Sequence, residues 1–145
     1  MHPANTIGRL ETAPAARALS ASTLASRLLY VAFAISALYQ LFRSTQMELP
    51  AYDSFDLTAA IYYGLCFGIA SALATGRAWA KWLNLAAAIG WNLVGIFFYY
   101  PTMTAGRTFG LLGWAEATLY LGLIFAAGVL IACDLAGITL TSARD

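Results

Sequence analysis

Charge is what this sequence has least of. Only 10% of its 145 residues are Asp, Glu, Lys or Arg, against about 25% in a typical soluble domain. A surface so poor in charge cannot be mostly wetted by water. The formal net charge is +1, too little for the clustered basic face that nucleic acid requires, so nucleic acid is not expected as a partner. Histidine is nearly missing: the single one, His2, stands at the chain start. Without a histidine inside an apolar segment there is no ordinary axial ligand for haem or a pigment, and no cofactor is expected. The two cysteines, Cys66 and Cys133, form no Cys-x-x-Cys pair, which argues against a thiol redox motif or a zinc site. Their depths along the chain's apolar segments differ by ~10 Å or more at helical rise, too far for a disulfide. No serine has a histidine nearby and no second acid accompanies the one buried carboxylate, so catalysis is poorly supported.

What the chain does have is apolar length. Hydrophobic residues make up 61% of it, with a mean hydropathy of +0.70. Four apolar runs nearly fill it, at residues 28–42, 57–75, 82–100 and 109–131. A helix of ~20 apolar residues crosses a ~30 Å hydrocarbon layer. The expected fold is all-α: a four-transmembrane-helix up-down-up-down bundle with spans at about 25–43, 56–75, 80–100 and 108–133. Short links at 76–81 and 102–108 favour antiparallel neighbours. Residues 1–24 read as a loosely ordered N-terminal tail and 136–145 as a short C-terminal tail. Asp56, with Thr58 close behind, suits the N-cap region of the second helix.

Basic residues set the orientation. Arg9, Arg17, Arg27, Arg77, Lys81 and Arg144 fall on one side of this bundle, and Arg43 and Arg107 on the other. Basic residues near span ends favour the cytoplasm, which puts both termini there. The expected address is the bacterial inner membrane. Arg9, Arg17 and Arg27 with a single Glu11 also fit the composition of a mitochondrial transit peptide, so a mitochondrial inner membrane is the alternative. Aromatic residues cluster near the expected span ends: Trp79 and Trp82 on the inner side, Tyr39, Phe42, Tyr52, Phe55, Tyr99, Tyr100, Phe109 and Trp114 on the outer. Rings with one wet edge prefer the headgroup level, so these read as anchors.

In lipid, helices associate through close packing of small residues rather than through hydrophobic burial. The second run carries Ala60, Gly64, Gly68, Ser71 and Thr75 on one stripe, including a Gly-x-x-x-Gly step. Ala88, Asn92, Gly95 and Tyr99 form a similar stripe on the third, and Gly113 sits one turn from Glu116 on the fourth. Gly64, Gly68, Gly95 and Gly113 therefore form a candidate packing face. It serves either the monomer's own interior or a second copy or another membrane protein.

Glu116 is the one ionisable side chain well inside a run. A charged group at the bilayer centre costs ~2.5–3.5 kcal/mol on insertion scales, so it faces the bundle interior, finds a partner or stays protonated. Partners of comparable depth are Asn92, Tyr62, Tyr63 and Tyr120, with Ser36, Gln40 and Arg43 on one face of the first helix. Arg43 reaching inward would hold Glu116 ionised. The cluster Glu116, Asn92, Arg43, Gln40, Tyr63 and Tyr120 reads either as a hydrogen-bonded register pin or as the lining of a small cavity for a proton, cation or polar ligand. Three functions follow, in order of preference. The first is a non-enzymatic protein acting through a membrane partner, as an accessory subunit or an immunity-type binding protein. The second is a small proton- or ion-linked transporter using Glu116, although the broken spans of many transporters are absent. The third is a membrane enzyme acting on lipid or quinone.

Overall fold

The computed structural model describes residues 20–46, 54–104 and 110–138. His2, Arg9, Glu11, Arg17, Tyr52, Asp53, Arg107, Phe109 and Arg144, with most of both expected tails, lie outside the described residues. Within them, regular structure is entirely helical, in four helices.

Helix α1 spans Ala21–Gln46. It begins four residues before the expected span because Ser20 caps it: the Thr23 amide donates to Ser20 Oγ at 3.2 Å, the usual N-cap bond. Helix α2 spans Leu57–Leu73. Asp56 closes its start by accepting the Ala59 amide at 2.9 Å. Gly76, at φ 68°, turns the chain away after the last turn, a backbone that favours glycine.

Those two signals bound α2 more tightly than the expected 56–75. Its 17 residues cover ~26 Å at 1.5 Å per residue. Among the described residues, three stretches of 25 residues are long and apolar enough to cross a membrane: Ala21–Thr45, Ala78–Thr102 and Leu111–Leu135.

Helix α3 runs over Ala78–Val94, widens into a π-helical turn over Gly95–Tyr99 and resumes as Tyr100–Thr104. Within the turn the Tyr100 amide reaches Gly95 O, five residues back. Pro101 gives the physical reason: it has no amide proton, and its ring crowds the carbonyl four residues earlier, which is Phe97. The wider turn accommodates that, and Thr102 Oγ1 donates to the Tyr99 carbonyl at 3.1 Å. Helix α4 spans Leu111–Leu135. It ends in a Schellman motif, with Ile138 N–H on Cys133 O at 2.9 Å, Gly137 N–H on Asp134 O at 3.2 Å and Gly137 at φ 72°.

Cross-helix contacts fix the register. Along α1 and α2, Ser26 Oγ donates to Ala70 O at 2.8 Å, and the Ser36 and Tyr63 hydroxyls meet at 3.1 Å. Numbers rise on one helix as they fall on the other. Along α3 and α4, Lys81 pairs with Asp134 at 2.8 Å, and the Tyr99 hydroxyl meets Glu116 at 3.2 Å. Helix α4 holds the centre, packing most extensively against α1 and next against α3.

The interior is built largely from small residues. Ala25, Ala32, Ala70, Ala80, Ala117 and Ala127 are fully buried, with Leu29, Phe33, Leu73, Ile124 and Ile131 between them. Large apolar side chains point out, Phe98 at 71% exposed and Leu111 at 88%. That polarity suits a lipid surround, where helices gain by approaching closely and lose nothing by showing leucine to acyl chains.

Gly95 and the two α2 glycines predict opposite responses. A Cβ on Gly95 would fall 2.4 Å from Leu121 Cδ2, whereas at Gly64 and Gly68 nothing lies within 4 Å. Gly95→Ala is expected to destabilise by ~1 kcal/mol or more through overpacking, and Leu121→Ala in the same chain should relieve the clash. Gly64→Ala and Gly68→Ala should be neutral or stabilising by up to ~1 kcal/mol. Thermal unfolding in detergent reads all four.

A polar chamber around Glu116

Position 116 sits in the second turn of α4, on the helix face turned toward α1 and α3. Only 5% of Glu116 is exposed. Three adjoining cavities meet at it. A 190 Å³ cavity on one side is walled by Tyr62, Tyr63, Trp91, Tyr99 and Tyr120. A 140 Å³ cavity on the other is lined by Tyr39, Gln40 and Arg43, with Ser36, Tyr63 and Tyr99 shared between the two. A 380 Å³ apolar groove between α1 and α4, walled by residues such as Leu38 and Leu119, touches the same carboxylate. Glu116 is common to all three linings.

Each wall has a local cause. Ser36, Tyr39, Gln40 and Arg43 recur at three- and four-residue spacings and so share one face of α1. The Arg43 guanidinium carbon lies 5.9 Å from the Tyr39 ring centroid, within cation–π range. Gln40 Nε2 donates to Ser54 O at 3.3 Å. Ser44 accepts the Phe55 amide at 2.6 Å and donates to Gln40 O at 2.8 Å. The segment entering α2 is thus pinned against the end of α1, and Phe55 stacks on Tyr63 with centroids 6.0 Å apart. Phe33, fully buried, lies edge-on to Trp91 at 4.8 Å.

The π-turn decides which α3 side chain meets the acid. With regular α spacing, the residue seven after Trp91 would share its face, and that residue is Phe98. The extra residue in the turn puts Tyr99 there instead, its hydroxyl donating to Glu116 Oε2 at 3.2 Å, and leaves Phe98 facing outward.

Of the residues singled out from the sequence, Glu116, Arg43, Gln40, Tyr63 and Tyr120 line the two inner cavities, as do Ser36 and Tyr62. Asn92 does not join them. Its amide donates to Ala88 O on its own helix at 2.9 Å, and it borders a separate apolar groove of 300 Å³ between α3 and α4. The expected stripe of Asn92, Gly95 and Tyr99 assumed an unbroken α-helix, and the π-turn separates its ends. Tyr99 and Tyr39, read as interfacial anchors, line the chamber. Among the four glycines, Gly95 and Gly113 are buried, whereas Gly64 and Gly68 face open space.

At the far end of the bundle, Asp134 gathers a second polar group. Lys81 Nζ lies 2.8 Å from its Oδ2, and Ser22 donates to the same oxygen, so one carboxylate joins α1, α3 and α4. Nearby on α3, the buried Asn84 amide donates to Ile69 O at 2.8 Å and Ala80 O at 2.9 Å, fastening α2 to α3. Sequence reading missed both because Asp134 lies beyond the expected fourth span and Asn84 shares its run with Asn92. Both cysteines are free. Among the described residues, no group of three or more His, Cys, Asp or Glu comes together that could hold a metal ion.

Tyr99→Phe removes one interhelical hydrogen bond and is expected to cost ~0.6–2 kcal/mol. Asn92→Leu should stay within about 0.5 kcal/mol, because its bond never leaves α3. Comparing the two unfolding midpoints in detergent checks the separation. Protein-family models, curated proteins and solved structures yield no match to this chain.

Proposed function

We propose that this chain is a small multi-pass membrane protein that binds a small solute, with or without a coupled proton, at Glu116 and carries it as a compact transporter. One observation carries the reading: a carboxylate kept almost wholly from its surroundings nevertheless borders three cavities. An acid placed within apolar spans is costly, and such acids mark ion and substrate pathways by default. A register pin would need hydrogen bonds, not empty volume beside them.

In this reading the four helices form an up-down-up-down bundle, and α2 crosses as a fourth, short span. The antiparallel register of α1 with α2 and of α3 with α4 supports that arrangement. A ~26 Å apolar helix falls within the length range of membrane spans. Arg27, Arg77 and Lys81 stand toward the Asp134 end of the bundle and Arg43 toward the other, so the Asp134 end and both termini belong in the cytoplasm. The corresponding address is a bacterial inner membrane, or a mitochondrial one.

A second reading, action through a membrane partner, is favoured by the open Gly64 and Gly68 surface. A helix from another membrane protein or a second copy would approach closely there. It also accommodates a role as accessory subunit or immunity-type protein.

The two readings separate cleanly. In proteoliposomes holding the full chain, Glu116→Gln should lower proton-coupled or cation flux at least tenfold, and unchanged flux refutes the transport reading. Gly64→Leu with Gly68→Leu should leave the monomer intact, since nothing occupies that space, yet strip any helix partner during purification from native membranes. An unaltered set of co-purifying chains, or none in the parent, refutes the partner reading.

A further inference from the structure

We infer that the chamber takes a small organic ammonium cation, with its charge on Glu116 and its alkyl groups against the aromatic walls. This rests on the Glu116 binding reading above and names the ligand class.

The 190 Å³ cavity is walled by five aromatic side chains, and Glu116 is the acid in its lining. Arg43 borders the neighbouring 140 Å³ cavity and not this one. The Tyr62 and Tyr63 rings meet at 69° with centroids 5.3 Å apart, making a corner of two walls. Trp91 stands in the same lining, its ring held against buried Phe33 with centroids 4.8 Å apart. Aromatic faces carry negative quadrupole potential, and cages of such faces hold alkylammonium groups.

Other ligand classes fit worse. An anion would meet a buried carboxylate. An uncharged apolar molecule would offer the buried Glu116 carboxyl neither a charge nor a hydrogen-bond donor, which is costly. A bare metal ion needs several oxygen ligands to replace its water, whereas this lining offers one carboxyl and hydroxyls already engaged in part, Ser36 with Tyr63 and Tyr99 with Glu116. Size narrows the class further. At about 30 Å³ of liquid volume per water, the cavity corresponds to roughly six water-sized groups. Tetramethylammonium and choline are of that order, and tetrabutylammonium is well beyond it.

The test is calorimetric titration of the purified full chain in detergent with choline, with dimethylbutanol (its uncharged carbon isostere), with tetrabutylammonium and with sodium. Choline should bind about tenfold or more tightly than its isostere, and neither tetrabutylammonium nor sodium should compete. Glu116→Gln should abolish that preference. Trp91→Leu should weaken choline about fivefold or more, while Trp91→Phe keeps most of the affinity. Equal binding of choline and the isostere by the parent chain overturns the inference without needing any variant to fold. So does choline binding that survives Glu116→Gln. Should sodium or proton flux in proteoliposomes depend on Glu116 while choline gives no heat, the ammonium assignment falls and the Glu116 reading stands. Should no ligand or flux depend on Glu116, both fall.

Discussion

Close approach of helix backbones is the constraint from which the rest of this structure follows. Hydrophobic burial cannot hold apolar helices together in an apolar solvent, so contact has to come from side chains small enough to let the backbones meet. The seam along α4 shows how. Ala117, Ala127 and Gly113 sit inside, while Phe125 and Leu112 point away. The aromatic chamber can exist because its neighbours along the same seam are thin. Large rings gathered at one level leave gaps that small residues elsewhere do not.

Polar groups then do what packing alone cannot: they distinguish one register from its neighbours. At one end Asp134 ties three helices through Lys81 and Ser22. At the other, Tyr99, Ser36 and Tyr63 converge on Glu116 or on one another. Each such bond is modest in lipid, averaging ~0.6 kcal/mol in measured cases. A slip of one residue would break several at once, which is how modest bonds specify a unique arrangement. Helix α2 is fastened to this frame by Ser26 to its Ala70 carbonyl, by Ser36 to its Tyr63, by Tyr30 to its Ser71, by Asn84 to its Ile69 carbonyl and by the pinned segment ahead of it.

The helical class and the apolar runs were legible in the sequence because hydropathy is additive over a window and needs no knowledge of neighbours. Glu116 stood out for the same reason, and the α1 residues around it followed from helical spacing alone. The boundaries were less legible. The start of α1 hung on the Ser20 cap, and the end of α2 on a left-handed Gly76, each a local geometric event that hydropathy averages away. Asn92, matched to the cluster by depth, bonds instead within its own helix, because depth says nothing of which way a side chain faces. Tyr99, expected as an anchor on the same stripe, reaches the acid because 3.6-residue periodicity fails in the turn between them. Pro101, visible in the sequence, was the signal: it marks where regular hydrogen bonding must fail, and the failure spreads upstream, to Gly95.

That turn gives the chain an asymmetric tolerance to length. A protein shorter by one residue between positions 95 and 99 would bring the same tyrosine to the acid through an ordinary α-turn, because the wide turn is in effect one inserted residue. A protein longer by one would swing the hydroxyl toward the acyl chains. Natural variation in this stretch should therefore run to deletion rather than insertion.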